Sequence, residues 1–182
     1  MNKGTEQRNK MNYFNAKEMR QIGEKGVNII TKAMRKKAPD NLKVRKANPR
    51  RCGYNIGIFT GTKEIKIQVK SDRHNSDNLF IETISNFEKS ELGGVLASNA
   101  DFLCYYFFET KKLYIFNVKF LRKWVLTYRT GYDYRDCRTP LGNNHYTTSG
   151  FLVPITHLSE HSYGISDLFE QIMQKKGDCI MA

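Results

Sequence analysis

Residues 64–70, with the sequence EIKIQVK, decide the fold class of this chain. Apolar side chains occupy the odd positions and polar ones all the even positions, which is the period of a β-strand with one buried face. The residues GTK at positions 61–63 predict a turn before this strand, and residues 54–60 carry apolar side chains at alternate positions in front of that turn. The two segments together therefore predict a β-hairpin.

Further predicted elements lie on both sides of this hairpin. Apolar residues at helical spacing predict a helix over residues 16–37, which ends before Pro39. The other apolar runs predict strands at residues 78–84, 103–108, 113–117 and 151–155. The other helical patterns lie at residues 118–128 and 165–175, with a short helix near 97–100. Residues 130–149 predict a long loop. This order predicts an α/β (α+β) fold with a central mixed β-sheet flanked by helices.

The positive charge of the chain is concentrated near its N-terminus. The net charge is +12, and residues 1–51 alone hold 15 Lys and Arg against 4 Asp and Glu. Such a cluster is typical of proteins that contact the phosphate backbone of nucleic acids, and a solvated basic face is the alternative. The predicted nucleic-acid-binding residues are Arg35, Lys36, Lys37, Lys43, Arg45, Lys46, Arg50, Arg51 and Arg73.

Length and composition limit the remaining classes of protein. We expect a single domain over residues 16–182, after a flexible basic segment at residues 1–15. No apolar run approaches the roughly 18–20 residues that a membrane-spanning helix needs, so no membrane partner is expected. The first residues lack the apolar segment of a secretory signal, and a cytoplasmic location is therefore expected. The four cysteines form no CxxC pair and are expected to be free thiols.

Several polar residues on the central strands suit the hydrolysis of phosphodiester bonds. Gln68 and Lys70 share the polar face of their strand, and Asp72 continues in that register. Glu82 stands between apolar residues of the next strand, where an acid needs a partner. Carboxylates hold a hard divalent cation, and a positive group stabilises charge on the attacked phosphate. The alternative for Glu82 is an ion pair across the strands with Lys66, Lys70 or Arg73.

These motifs resemble the PD-(D/E)XK nuclease superfamily. The family carries (D/E)-x-K on a hairpin strand, where this chain has Gln68-Val69-Lys70, and an acid earlier in the hairpin, where this chain has Asn55. A glutamate on the first helix corresponds to Glu24. The runs VKSD, NLFIE, LGG and SNADF look like a phage-type, Holliday-junction-resolvase-like branch of these nuclease-like proteins. The similarity covers residues 20–125, and GFLVP at residues 150–154 extends it.

The resemblance implies a restriction-endonuclease-like fold and a DNA endonuclease that depends on Mg²⁺ or Mn²⁺. Branched and single-stranded DNA are among the substrates it implies, and the family contains many homodimers. The implied metal ligands are Asp72, Glu82, Gln68 and Asn55. The implied catalytic residues are Lys70, Gln68, Glu82, Asp72 and Glu24. Asn55 and Gln68 are neutral amides where the family has acids, and an amide oxygen holds Mg²⁺ less strongly.

Two other functions remain open at the level of sequence. The first is a catalytically inactive nucleic-acid-binding protein on the same scaffold, for which the two amides argue. The second is a phage protein-interaction or inhibitor module whose basic region contacts an acidic partner. The Tyr- and Arg-rich residues 128–138 (YRTGYDYRDCR) predict either contacts with bases and phosphates or an ordinary surface loop.

Overall fold

Two β-sheets with helices packed against them give the chain its mixed α+β fold. The computed structural model describes residues 16–73, 77–141 and 144–177. The predicted flexible segment at residues 1–15 lies outside the described residues. The predicted fold class is therefore confirmed, but the strands divide between two sheets instead of forming one central sheet.

Sheet A is mixed, and the predicted hairpin forms its centre. Strand β2 (Ile56–Phe59) is antiparallel to β3 (Glu64–Asp72), and β3 pairs in parallel with β6 (Phe102–Phe107) on its other side. The edge strands are β1 (Lys43–Lys46) and β7 (Leu113–Asn117), which gives the order β1-β2-β3-β6-β7. All residues of β6 are buried, as expected for a strand that is covered on both faces.

Sheet B is antiparallel and contains the strand that follows β3 in the chain. Its order is β5 (Glu91–Leu92), β4 (Asn78–Asn86), β9 (Asn144–Pro154) and β8 (Asp133–Leu141). Consecutive strands β3 and β4 therefore belong to different sheets. This division places the polar face of β3 opposite residues of β4.

Helices cover both sheets. The longest are α1 (Ala16–Lys37), α4 (Val118–Tyr128) and α5 (Ile165–Gly177). Shorter ones are α2 (Pro49–Cys52) and α3 (Gly94–Ala97), with 3-10 turns at Arg129–Gly131, Ile155–His157 and Ser159–His161. Within the three described ranges, no helix has both the length and the apolar character that crossing a bilayer requires.

The alternation along β3 divides the core into two apolar layers. Its side chains Ile65, Ile67 and Val69 pack with residues of α1 and α5. On the other face of sheet A, Leu103 and Tyr105 of β6 pack with apolar residues of sheet B and α4. Because side chains alternate along a strand, the polar residues of β3 face this second layer.

The prediction of a long loop at residues 130–149 was wrong. These residues form most of the β8–β9 hairpin, in which Cys137 lies opposite Thr148. Strand β8 is an edge strand, and most of its side chains are exposed on both faces. It therefore lacks the apolar alternation by which a half-buried strand is recognised. The short elements β1 and α2 were missed for a similar reason, since most of their residues are exposed.

Three of the four cysteines lie within the described residues, and all three are free thiols. Cys104 is in the core, where burial raises the pKa of its thiol far above the usual value. Cys52 is exposed. The pKa of the half-buried Cys137 is raised, first by burial and then by the charges of Asp136 and Glu82. Cys179 lies outside the described residues.

Glu88, in the turn after β4, attaches that turn to the β8–β9 hairpin. Its carboxylate accepts hydrogen bonds from the Thr147 hydroxyl at 2.6 Å and from the Thr147 backbone N–H at 2.8 Å. These hydrogen bonds, the side-chain one first, lower the pKa of Glu88 from 4.5 to about 2. A depressed folded-state pKa means that the contact stabilises the fold fully above the unfolded pKa. That stabilisation is then lost as the pH falls towards the folded-state value.

We therefore expect Glu88→Gln to be less stable than the wild type above about pH 5 and to approach it near about pH 2. The measurement is chemical denaturation of both proteins across this range. A gap in the free energy of unfolding that stays constant with pH would show that the carboxylate charge is not what stabilises the turn.

Candidate functional site

Lys70 of β3 and Glu82 of β4 form an ion pair between the two sheets. The Lys70 Nζ atom lies 2.8 Å from Glu82 Oε2, and the two side chains are 35% and 15% exposed. Among the partners that the sequence offered for Glu82, the structure selects Lys70. A pair at this exposure is screened less by salt than a surface pair, and the acid carries a desolvation cost that the lysine offsets.

Glu82 is positioned by backbone as well as by Lys70. Its Oε1 atom accepts the N–H of Gly94 at 3.0 Å. Gly94 has φ +50°, and a methyl group there would overlap the Glu82 carbonyl oxygen. A Cβ at Gly93 would lie 2.6 Å from Glu82 Oε1, and one at Gly150 would lie 2.9 Å from the Glu82 Cα. Glu82 therefore fits at this position because all three neighbouring residues are glycines without a Cβ atom.

A β-bulge adjoins the same residue. The pairing of β4 with β9 places Glu82 opposite Gly150, and its register shifts between Glu82 and Ile84. Thr83, the extra residue, is buried, and its hydroxyl donates to the Ser149 carbonyl at 3.4 Å. Bulges of this kind change the direction of nearby side chains and are common beside active sites.

Asp72 lies two residues beyond Lys70 on β3 and is held by a buried tyrosine. The Tyr105 hydroxyl donates to Asp72 Oδ2 at 3.4 Å and accepts the backbone N–H of Phe80 at 3.3 Å. Burial, followed by the charge of Asp72, raises the pKa of Tyr105 well above its usual value, so the phenol stays protonated and remains a donor. This link joins Asp72 to Phe80, which lies two residues before Glu82 on β4.

The two amides that replace family acids have different surroundings. Gln68 shares the face of β3 that carries Lys70, and within the described part of the chain its side chain makes no hydrogen bond. The Asn55 Oδ1 atom accepts the Val69 backbone N–H at 2.8 Å. Its own N–H donates to the Ile67 carbonyl at 2.9 Å, so Asn55 extends the β2–β3 ladder by one side-chain bond.

We expect Asn55→Ala to lower the free energy of unfolding by about 1–3 kcal/mol, because the Val69 N–H loses its acceptor. Asn55→Asp keeps an acceptor oxygen in place and is expected to cost less. Urea denaturation of the two variants and the wild type measures both effects. Equal stability of Asn55→Ala and the wild type would mean that solvent replaces this bond at no cost.

The structure does not bring Glu24 to this group. Helix α1 packs on the opposite face of β3, where its Gly26 contacts Ser71. Glu24 is exposed. It precedes Gly26 by two residues, which is about half a helical turn, so its side chain projects away from β3. No hydrogen bond or ion pair joins it to Lys70 or Glu82 in the ranges that the structure describes.

The remaining donors fit a small divalent cation in type and charge. Asp72 and Glu82 supply two carboxylates and Gln68 an amide oxygen, whereas the Asn55 oxygen is already bonded to the backbone. Over residues 16–73, 77–141 and 144–177, no group of three or more His, Cys, Asp and Glu is placed to hold a metal together. Mg²⁺ is commonly held by one or two carboxylates, with water and substrate phosphates completing its shell. Two carboxylates therefore meet the minimum for this ion.

Most of the predicted basic residues lie at the end of α1, on the edge strand β1 and on α2, and this group is here called the basic edge. It consists of the exposed residues Arg35, Lys36, Lys37, Lys43, Arg45, Lys46, Arg50 and Arg51. The Arg35 Nε atom donates to the Val44 carbonyl at 3.1 Å, which attaches the end of α1 to β1. Arg73 is not part of this group, since it pairs with Glu18 of α1.

The register of sheet A places one end of the basic edge near the Lys70 end of β3. Lys46 lies opposite Ile56, and Ile56 lies opposite Ile67. The chain then continues through Ala47, whose N–H binds the Asn55 carbonyl at 2.8 Å, into α2 with Arg50 and Arg51. Neighbouring strands are about 4.8 Å apart, so β1 and β3 are separated by about 10 Å.

Comparisons with known proteins give a distant structural similarity. A scan against protein-family models finds no match, and a search of the curated proteins finds none either. Among solved structures, this chain is similar to a bacterial homing endonuclease, I-Ssp6803I, with a TM-score of 0.42 and 18% sequence identity. The similarity covers 56% of this chain and 70% of that one. Any function for this chain therefore has to rest on its own residues.

Proposed function

We propose that this chain is a metal-dependent DNA endonuclease of the PD-(D/E)XK type, with Lys70, Glu82 and Asp72 at its site. The observation that carries the proposal is the Lys70–Glu82 contact of 2.8 Å between two sheets, in a position that three glycines keep open. A strand-borne lysine beside carboxylates is what hydrolysis of a phosphodiester needs. The basic edge approaches the same end of sheet A and supplies the charge for a DNA backbone.

Asp72 and Glu82 would hold Mg²⁺ or Mn²⁺, with an oxygen from Gln68. When bound, such an ion supplies an activated water and offsets the negative charge of the phosphate. The Tyr105 hydroxyl orients the Asp72 carboxylate, and the Gly94 N–H orients that of Glu82. Both acids are therefore held before substrate arrives, which reduces the cost of organising the site.

Lys70 would stabilise the charge that develops on the attacked phosphate. Its ammonium has three donor hydrogens, of which the Glu82 contact uses one. The other two are available to phosphate oxygens, so substrate can bind without complete loss of the ion pair.

The test is to incubate the purified protein with labelled linear duplex, single-stranded and four-way-junction DNA, in Mg²⁺, Mn²⁺ or EDTA. The proposal expects cleavage with either metal and none in EDTA, and loss of cleavage in Glu82→Gln, which keeps the shape of the side chain. Comparison of the three substrates shows whether branched DNA is preferred. Binding of all three DNAs with no cleavage in any metal would overturn the proposal.

A second candidate is a nucleic-acid-binding protein without catalysis. The contacts of Glu82 favour this candidate, because each carboxylate oxygen of Glu82 already has a hydrogen-bond partner within the chain. The neutral amides of Gln68 and Asn55 reduce the charge available to a metal. For this protein, affinity for DNA would be unchanged by EDTA and would fall on charge reversal of Arg50 and Arg51.

A further inference from the structure

An aromatic cluster lies on α4 and the segment that follows it. The ring of Trp124 is 5.5 Å from that of Tyr128 and 5.1 Å from that of Tyr132, between centroids. The Tyr132 hydroxyl lies 3.0 Å from His157 Nδ1, which attaches the cluster to the turn after β9. The proposed nuclease site uses none of these side chains.

The cluster is only partly covered. Val118, Leu121 and Val125 are the buried residues of α4, and Trp124 and Tyr132 pack against the same core as partly buried residues. Tyr128 is 55% exposed, whereas Trp124 and Tyr132 are half-buried. One side of the cluster thus packs on the protein, and the other presents aromatic surface to solvent.

The segment that carries the rings is basic. Residues 118–138 contain six Lys and Arg and two Asp. Arg135 pairs with Asp133, and Asp136 accepts a hydrogen bond from Ser149. Lys123 and Arg129 are exposed and are the cations directly next to Trp124 and Tyr128 in the sequence.

We propose that this aromatic cluster binds single-stranded nucleic acid by stacking on its bases. Aromatic rings accept any base on their faces, and neighbouring cations bind the phosphates between bases. Bases in a duplex are stacked on each other and cannot reach the rings. The proposal is independent of cleavage, because stacking on these rings needs neither a metal nor Lys70.

The position of α4 makes the cluster a fixed surface. Arg122 of α4 donates from Nε to the Val95 carbonyl at 3.0 Å and from Nη2 to the Ser98 carbonyl at 2.8 Å. Both carbonyls belong to α3 or the residue after it, and α3 begins at Gly94, whose N–H binds Glu82. A fixed aromatic surface loses less conformational entropy when a base stacks on it.

Trp124 is the one tryptophan in the sequence, so its fluorescence reports directly on the cluster. The experiment titrates the full chain in EDTA with an oligothymidylate of about 12 nucleotides, within the usual site size. We expect quenching of Trp124 and about tenfold weaker binding in Tyr128→Ala, in line with the loss of one stacked base. The matched control is Phe87→Ala, since Phe87 is 61% exposed on a different turn. It should leave the affinity unchanged.

An abasic oligonucleotide of the same length separates stacking from phosphate contacts. The proposal expects it to bind more weakly and to leave Trp124 unquenched. Equal binding of the abasic strand, wild-type affinity in Tyr128→Ala, or stronger competition by duplex each overturns the proposal. Equal quenching by polyglutamate would also overturn it, in favour of an acidic protein partner. If strand binding holds while no DNA is cut, only the proposed nuclease function fails.

Discussion

Replacing Lys70 with methionine is expected to lower the rate of DNA cleavage by about 10²–10³-fold, with little change in DNA affinity. Methionine keeps most of the apolar stem but removes the ammonium that lies 2.8 Å from Glu82. Loss of one group that stabilises transition-state charge typically has an effect of this size. Binding rests on the basic edge, which this change leaves intact. The measurement is the single-turnover rate at saturating protein, together with the affinity for the same DNA in Ca²⁺.

The chain offers a matched control for this substitution. Lys66 lies on the same face of β3, four residues earlier, and its Nζ atom is 5.8 Å from the centre of the Tyr54 ring. Lys66→Met therefore makes the same chemical change on the same strand, away from the carboxylates. We expect it to cut DNA at close to the wild-type rate. Equal losses in the two variants would point to a general effect of charge and would remove Lys70 from the site.

Replacing Gly94 with alanine is expected to lower the free energy of unfolding by about 3 kcal/mol. A non-glycine residue at positive φ costs about 1–2 kcal/mol, and overlap with packed atoms adds about 1–3 kcal/mol. The overlapping atom is the carbonyl oxygen of Glu82, which belongs to the backbone of a paired strand and cannot easily move. Urea denaturation measures the loss.

Gly53→Ala separates the two contributions. Gly53 also has positive φ, +75°, but a Cβ there would meet nothing within 4 Å. Its substitution should therefore cost about 1–2 kcal/mol, the conformational part alone. If Gly94→Ala proved no more destabilising than Gly53→Ala, the crowding around Glu82 would have no energetic consequence.

Local patterns predicted those parts of the fold that have one buried face. The helices at residues 16–37 and 118–128 begin and end where the sequence placed them, because their apolar residues recur at helical spacing. The β2–β3 hairpin was recognised from its alternation and its turn. Strand β8 was missed because most of its residues are exposed, and the assignment of β4 to a second sheet depends on contacts distant in sequence.

The residues of the candidate site could be named from the sequence, but their contacts could not. The sequence singled out Lys70 and Glu82, but three basic residues could have paired with the acid, and the docking of two sheets decides between them. The resemblance also implied Asn55 as a metal ligand. In the structure its oxygen accepts the Val69 backbone N–H, and this contact depends on strand register, which alternation does not show. The glycines at positions 93 and 94 were visible, but their relation to Glu82 was not.

Lys70 and Glu82 lie on two different sheets, and this determines when they can come together during folding. If only sheet A has formed, Lys70 is in position but Glu82 is not. If only sheet B has formed, Glu82 is in position but Lys70 is not. Neither intermediate contains the site. Any hydrolysis of DNA by this pair would therefore begin only after both sheets have formed and packed together.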